Sequence, residues 1–362
     1  MPTYAYITSF SAGGTSEGIY VFRWAERSPR LTPIGIPGEA LENPIFLRAN
    51  NRQKTLFAAD CTRDWESGGR VVSMAIERQT GALTCINSVT SAGVIPVFLE
   101  LTADDSHLFV ANCGPFGRGT EGRTVAAFRV RASGRMDEAK TIQPHRENSI
   151  DPERQTSPHP HAIAMHPQGR WIYVPDLGSD RIYCYRYDPR LGGLMREPDN
   201  TTDLPRGSGP RYLKFHPDQP FAYLNTEMSN TLHVFHVQAE GRLEHAQAIS
   251  TLNSGDKDGN CADLQIHPCG RFLFTTNRSL QTIVTFEINR STGHLTKLCQ
   301  TSTGGAFPRS LAISPNGKTL LVGNEQGHSV CGFAFNSEHG KLKALGTLAE
   351  MPGPACIAFA TV

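Results

Sequence analysis

A short pattern recurs along this chain about every 50 residues, and it constrains the fold more than any other feature. Its fullest copy reads GPRYLKFHPDQPFAYLNTE, from Gly209 to Glu227. Two β-type apolar runs flank a turn at His216-Pro217-Asp218, which is the signature of a hairpin. With Pro210 taken as the anchor of that copy, the same pattern starts at Pro44, Pro96, Pro160, Cys261 and Pro308. Sixteen residues beyond the six anchors, in chain order, stand Asp60, Asn112, Asp176, Thr226, Asn277 and Asn324. An Asp or Asn at a fixed offset in five of six copies marks a shared structural position. A seventh anchor, Pro354, opens a copy that the end of the sequence cuts short. The first 43 residues and the last nine together have the length of one more repeat, and the β-type run YAYIT places the seventh offset-sixteen position at Thr8, within one residue.

Every hairpin is followed by a third β-type run, such as RIYCYRY, TLHVFHV or TIVTFEI, and six of these lead into a Gly-x-Leu-like turn. Four strands per repeat, seven times over, use nearly the whole chain. The expected fold is all-β: a single seven-bladed β-propeller domain spanning residues 1–362, closed by pairing of N- and C-terminal strands in one blade. WD dipeptides and in-phase double glycines are absent, which disfavours two common propeller types. A pair of β-sandwiches leaves the constant offset unexplained.

Composition narrows the function classes. A net charge of +1 gives no reason to expect nucleic acid or an anionic membrane as partner. No apolar run approaches a transmembrane span. The start MPTYAYITSF lacks the basic residues and long apolar core of a signal peptide, so the expected location is cytoplasmic. Nine cysteines without CxxC spacing read as reduced, mostly buried thiols.

In a propeller the first strand of each blade lines the axis and the second returns beside it. Offset one and offset seventeen therefore lie at the same end, the mouth of the central channel. Offset one gives Ile45, Val97, His161, Arg211, Ala262, Arg309 and Ala355; offset seventeen gives Cys61, Cys113, Leu177, Glu227, Arg278 and Glu325. Charge gathers on one side of this ring, where it is costly unless paired or used. A structural ion-pair network plugging the channel is the bland reading; a catalytic arc is the sharp one. His166, His216 and His267 share offset six before a proline and read as turn structure. His159 and His161 form an H-x-H without an in-phase third ligand, so no metal is expected there. SGDKDGN (residues 254–260) lacks the terminal acidic ligand of a calcium loop. Two stretches break the repeat spacing, residues 113–122 and 143–157, and both fall at the mouth as a rim or lid.

At SPHPHAIAMHPQGRWIYVPDLGSDRIYCYRYD, GSGPRYLKFHPDQPFAYLNTEMSNTLHVF and FLFTTNRSLQTIVTFEI the chain resembles the lactonase family of seven-bladed propellers. That family includes propeller-type 6-phosphogluconolactonases and the fungal 3-carboxy-cis,cis-muconate lactonizing enzyme. The resemblance implies a site built from a His, an Arg, a Glu and a second Arg, which by motif fall on His161, Arg211, Glu227 and Arg278. The repeat phase selects the same four residues.

The leading expectation is a metal-independent lactonase acting on a sugar-acid lactone, with no cofactor. In it, Glu227 or His161 serves as base, and Arg211 and Arg278 hold the oxyanion or an anionic substituent. Arg309, Glu325 and His159 are expected to contact the substrate. A cycloisomerase forming a carboxymuconate lactone and a non-catalytic interaction scaffold are the alternatives. Because the charged side chains are expected to line a mouth and not the sheet interfaces, replacing them is expected to spare the fold.

Overall fold

In six of the seven repeats the anchor pairs with the residue at offset sixteen. Pro44 pairs with Asp60, Pro96 with Asn112, Pro160 with Asp176, Pro210 with Thr226, Cys261 with Asn277 and Pro308 with Asn324. In the seventh, Pro354 pairs with Ser9, one residue beyond Thr8. The computed structural model describes residues 1–10, 18–35, 41–50, 52, 54–61, 68–114 and 124–362. These form seven antiparallel sheets, making a seven-bladed β-propeller. Blades are numbered here by anchor, blade 1 from Pro44 to blade 7 from Pro354.

Blade 4 shows the plan from axis to rim: Pro210–Phe215, Phe221–Thr226, Thr231–Val237 and Leu243–Ser250. Blade 3 carries a fifth strand, Thr202–Asp203, on its third strand. Second strands such as Trp171–Asp176 and Phe221–Thr226 are buried throughout, because both faces of each blade are covered by its neighbours. The rim strand Lys341–Glu350 has no buried residue. This gradient explains why second strands read as unbroken apolar runs while rim strands carry the polar residues.

Closure follows the expected scheme. Pro354–Thr361 is the innermost strand of blade 7, and Thr3–Ser9 pairs along it from Thr3 opposite Thr361 to Ser9 opposite Pro354. Gly18–Ala25 and Arg30–Gly35 complete that sheet.

Three repeated devices lock blade to blade. The first is the Gly-x-Leu turn. Gly241 lies against the Trp171 ring of the preceding blade, and Gly293 against Phe221. Both have φ near +80°, and an added Cβ would come within 2.7 Å of those rings, so only glycine fits. The second is a tyrosine in the second strand whose hydroxyl reaches the carbonyl of the next blade's turn glycine: Tyr6 to Gly81, Tyr173 to Gly241 and Tyr223 to Gly293. The third is the offset-six histidine. His216 and His267 hydrogen-bond through Nε2 to the carbonyls of Gly270 and Gly317 in the following blade, while Nδ1 accepts from their own turn amides. These rings are turn structure.

All nine cysteines lie among the described residues and are free thiols, six of them buried. Among the described residues no helix is long and apolar enough to cross a membrane.

Removing residues 354–362 should strip the inner strand from blade 7 and leave unpaired strand edges facing each other. The expected result is loss of soluble folded protein, read from expression yield and thermal unfolding. Unchanged unfolding would show that the closing pair is dispensable.

Candidate active site

Side chains one residue past the anchor share an end of the ring, and in six of the seven blades the inner strand is bulged there. Between Pro210 and Tyr212 the register shifts by one residue, so two residues of the inner strand span one step of its partner. The same shift follows the anchors of blades 1, 2, 5 and 6 and occurs in the closing pair of blade 7. A bulge re-aims the extra side chain, and here it frees offset one from the ladder. Offset seventeen is fixed by a second constant feature. Its backbone N–H donates to the carbonyl just before the anchor: Cys61 to Asn43, Cys113 to Ile95, Leu177 to His159, Glu227 to Gly209, Arg278 to Asn260 and Glu325 to Phe307. In blade 7 Phe10 makes the equivalent bond to Gly353.

Glu227 is the centre of the charged arc. One carboxylate oxygen accepts from Arg211 Nε at 2.9 Å and from an Arg278 terminal nitrogen at 2.8 Å, and the other accepts from Arg154. Glu227 and Arg211 are almost fully buried, at 3% and 2% exposure. Arg211 also donates to the Ala262 carbonyl at 2.6 Å and lies over the Tyr212 ring. Arg278 donates to the Asn260 carbonyl and covers Phe307. Burial alone would push the Glu227 carboxyl upward, but the Arg278, Arg211 and Arg154 charges outweigh it and hold the group well below the usual carboxylate range. Burial brings the Arg278 guanidinium down to about 10, so it stays charged at neutral pH.

His161 sits beside this cluster in blade 3, whose inner strand is regular only at Ala164–Met165. The irregular approach is held instead by the buried Asp176 carboxylate, which accepts from the His159, Gly178 and Ser179 amides and hydrogen-bonds the His145 ring. The His161 amide donates to the Pro175 carbonyl, and its ring meets Tyr212 edge-on at 5.8 Å between centroids. Burial, helped by the Arg211 charge, pushes the imidazole well below its ordinary value. Among the described residues His161 Nδ1 is enclosed and has no partner, and no hydrogen bond engages Nε2. It is a neutral, uncommitted ring.

The structure therefore brings Arg211 and Arg278 onto Glu227 and sets His161 beside them. Arg309 and Glu325 pair at 2.7 Å one blade further on, with Arg309 over the Phe10 ring and its charge felt at His161 and Arg278. His159 stands apart: it is fully buried and its Nδ1 donates to the Cys113 carbonyl, so its place is in the wall between blades 2 and 3. Asp258 of the calcium-like stretch hydrogen-bonds Asn230 and the Asn260 amide, as a turn residue does. Residues 115–123 lie outside the described residues, and with them most of the first rim stretch.

Arg154 was not anticipated residue by residue, although its segment breaks the repeat spacing. Buried Gln155 ties that segment down by donating to the Leu177 carbonyl and to Asp180, while Asp151 accepts from the Arg154 amide. The irregular stretch thus delivers a third arginine onto Glu227.

A seven-bladed propeller with a buried carboxylate ringed by arginines and a neutral histidine beside it defines the class. The comparisons make it specific. The profile of the family described as "Lactonase, 7-bladed beta-propeller" matches residues 4–359, and the chain belongs to that family. It is 27% identical over 356 residues to the 6-phosphogluconolactonase of Bacillus subtilis, covering 98% of this chain and 97% of that one. Among solved structures it is similar to a periplasmic gluconolactonase of Pseudomonas aeruginosa, with a TM-score of 0.92 and 29% identity over 99% of both chains. A putative 6-phosphogluconolactonase of Bacteroides uniformis gives 0.89 and 27%, again over 99% of both.

Glu227 and Arg211 are buried, so the expectation that replacing these side chains spares the fold carries a cost in stability. Glu227→Gln leaves three guanidinium groups without their counter-charge and should cost about 3 kcal/mol. A folded carboxyl held below its unfolded value of about 4.3 adds stability that is complete above that pH and fades as pH falls toward the folded value. Urea midpoints of wild type and variant should differ by a constant amount above about pH 5 and converge below about pH 4. A gap that stays constant into acid would show that the Glu227 charge is not what holds the cluster.

Proposed function

We propose that this protein hydrolyses a sugar-acid lactone carrying a phosphate, at the anchor end of the central channel, by general-base and arginine electrostatics without a metal. The observation that carries the reading is the charge balance of the cluster. Arg154, Arg211, Arg278 and Arg309 face Glu227 and Glu325, an excess of two positive charges around a neutral imidazole. A phosphate monoester of charge about −1.5 to −2 matches that excess. The family membership and the B. subtilis relative support the same reaction class.

The residues divide the work as follows. Glu227 is a poor base, because three arginines stabilise its ionised form; it fixes the guanidinium groups in place. His161 is the base. As water attacks the lactone carbonyl carbon, His161 Nε2 takes its proton and a C–O bond forms. The resulting tetrahedral oxyanion is held by arginine N–H groups already aimed and desolvated. The intermediate collapses by breaking the ring C–O bond, and the imidazolium returns the proton to the leaving oxygen, giving the open hydroxy acid. The excess positive charge also makes the cluster a poor seat for a divalent cation. Nine free thiols, six of them buried, fit a reducing compartment, which supports a cytoplasmic location.

His161→Asn should lower kcat by about 10²–10⁴ and remove the acid limb of the pH profile, which in wild type lies below the ordinary imidazole value of about 6.5. Undiminished turnover in this variant would remove His161 from the chemistry.

A second experiment compares phosphorylated and unphosphorylated gluconolactones and carboxymuconate before and after exhaustive chelation. The expected outcome is turnover of the phosphorylated lactone at the lowest KM, unchanged by chelation. Activity restored only by a divalent cation would overturn the metal-free mechanism. Turnover of carboxymuconate alone would identify the cycloisomerase, and no turnover of any of the three would leave an interaction scaffold.

A further inference from the structure

The stretch that breaks the repeat between blades 2 and 3 contains a small closed turn. The Ser149 amide donates to the Gln155 carbonyl and the Gln155 amide to the Asp151 carbonyl, while the Asp151 carboxylate takes the amides of Glu153 and Arg154. Gln155 is fully buried and donates to the Leu177 carbonyl and to Asp180, each at 2.8 Å. The same Asp180 carboxylate, itself 3% exposed, accepts from the Gly207 amide at 2.6 Å and the Gly209 amide at 2.7 Å. Gly209 in turn carries the carbonyl that holds the Glu227 amide. One buried carboxylate therefore fixes both the turn that carries Arg154 and the entry to the strand that carries Arg211.

Within that frame the arginines on Glu227 are not equivalent. Arg211 and Arg278 share one carboxylate oxygen, Oε2, and their side chains are only 2% and 8% exposed. Each is also held by backbone, Arg211 by the Ala262 carbonyl and Arg278 by the Asn260 carbonyl. Arg154 takes the other oxygen, Oε1, and 34% of its side chain is open to solvent. Arg309 is matched one to one by Glu325. Three guanidinium groups thus share the single Glu227 charge, and an arriving anion meets the exposed one first. A guanidinium can hold a carboxylate on one edge and offer another edge to a phosphate oxygen.

We propose that Arg154 is the specificity-determining arginine of this site. It receives the anionic substituent of the substrate, a phosphate on the sugar acid, and leaves Arg211 and Arg278 to the lactone carbonyl. The inference rests on the lactonase reading for the identity of the substrate and adds the residue that selects it.

The test measures kcat and KM for phosphorylated and unphosphorylated gluconolactone, and calorimetric binding of 6-phosphogluconate and gluconate, in wild type, Arg154→Gln and Arg154→Lys. Removing Arg154 leaves Glu227 two counter-charges, so both variants should stay folded, as thermal unfolding will show. Arg154→Gln should cut the kcat/KM preference for the phosphorylated lactone about tenfold or more, mostly through KM, and weaken 6-phosphogluconate relative to gluconate by a similar factor, as loss of a charge-assisted contact does. Arg154→Lys should keep most of the preference, since an ammonium binds phosphate as a point charge. An arginine that only props Glu227 would change both lactones alike, so an unchanged preference in Arg154→Gln overturns the proposal. Binding needs no turnover, which separates the two readings. If 6-phosphogluconate binding depends on Arg154 but no lactone is turned over, the lactonase reading fails and Arg154 remains the anion-selecting residue. If 6-phosphogluconate is held equally by wild type and Arg154→Gln, or not held at all, the role of Arg154 is overturned and any lactonase activity stands.

Discussion

Seven sheets around an axis bury their faces only if the ring has no gap, and the pairing of Pro354–Thr361 with Thr3–Ser9 is what closes it. The rest of the structure depends on that ladder. Second strands can be apolar on both faces because a neighbour stands on each side. The channel wall is complete because blade 7 supplies Ala355 and Cys356, whose thiol accepts from the Leu47 amide of blade 1. The charged arc depends on it too, since Phe10, held by Gly353 across the closing pair, is the ring beneath Arg309. A bond formed between the two ends of the chain therefore positions a guanidinium contributed by blade 6.

Within the closed ring, the energetics of the site turn on a buried carboxylate. Ion pairs at this depth contribute little net stability, because desolvation offsets the attraction. What the arrangement supplies is fixed geometry. Arg211 is held by Glu227, by the Ala262 carbonyl and by a ring, and Arg278 by Glu227, by Asn260 and by a ring. Guanidinium groups held this way need no reorientation when charge develops on a bound molecule, which is the condition for electrostatic catalysis.

The repeat made the fold legible because each copy carries its own register mark. The anchor and the offset-sixteen Asp or Asn are bonded partners, so their spacing in sequence is the spacing of a ladder pair. The charged cluster was legible where it follows the repeat, and Arg211, Glu227 and Arg278 occupy repeat positions. Arg154 was not, because it comes from a stretch with no counterpart in other blades, and its partner is set by the tie of Gln155 to Asp180. The surroundings of Glu227 were also hidden, because spacing shows only two of the three guanidinium groups that reach its carboxylate. His159 misled for a local reason: in a regular strand it would share a face with His161, but the inner strand of blade 3 is irregular there, and the ring turns to Cys113.

The bulges behind six anchors, together with the irregular strand of blade 3, bear on how such a ring changes over time. They give seven sockets around one end of the ring, and three of these, His161, Arg211 and Arg309, carry ionisable groups. Ile45, Val97, Ala262 and Ala355 fill the other four with small or apolar side chains. The charge carried at the anchor end is therefore set by which sockets are occupied and which are blank on an otherwise unchanging wheel. Moving one charged side chain from one socket to another shifts that pattern while every strand keeps its place.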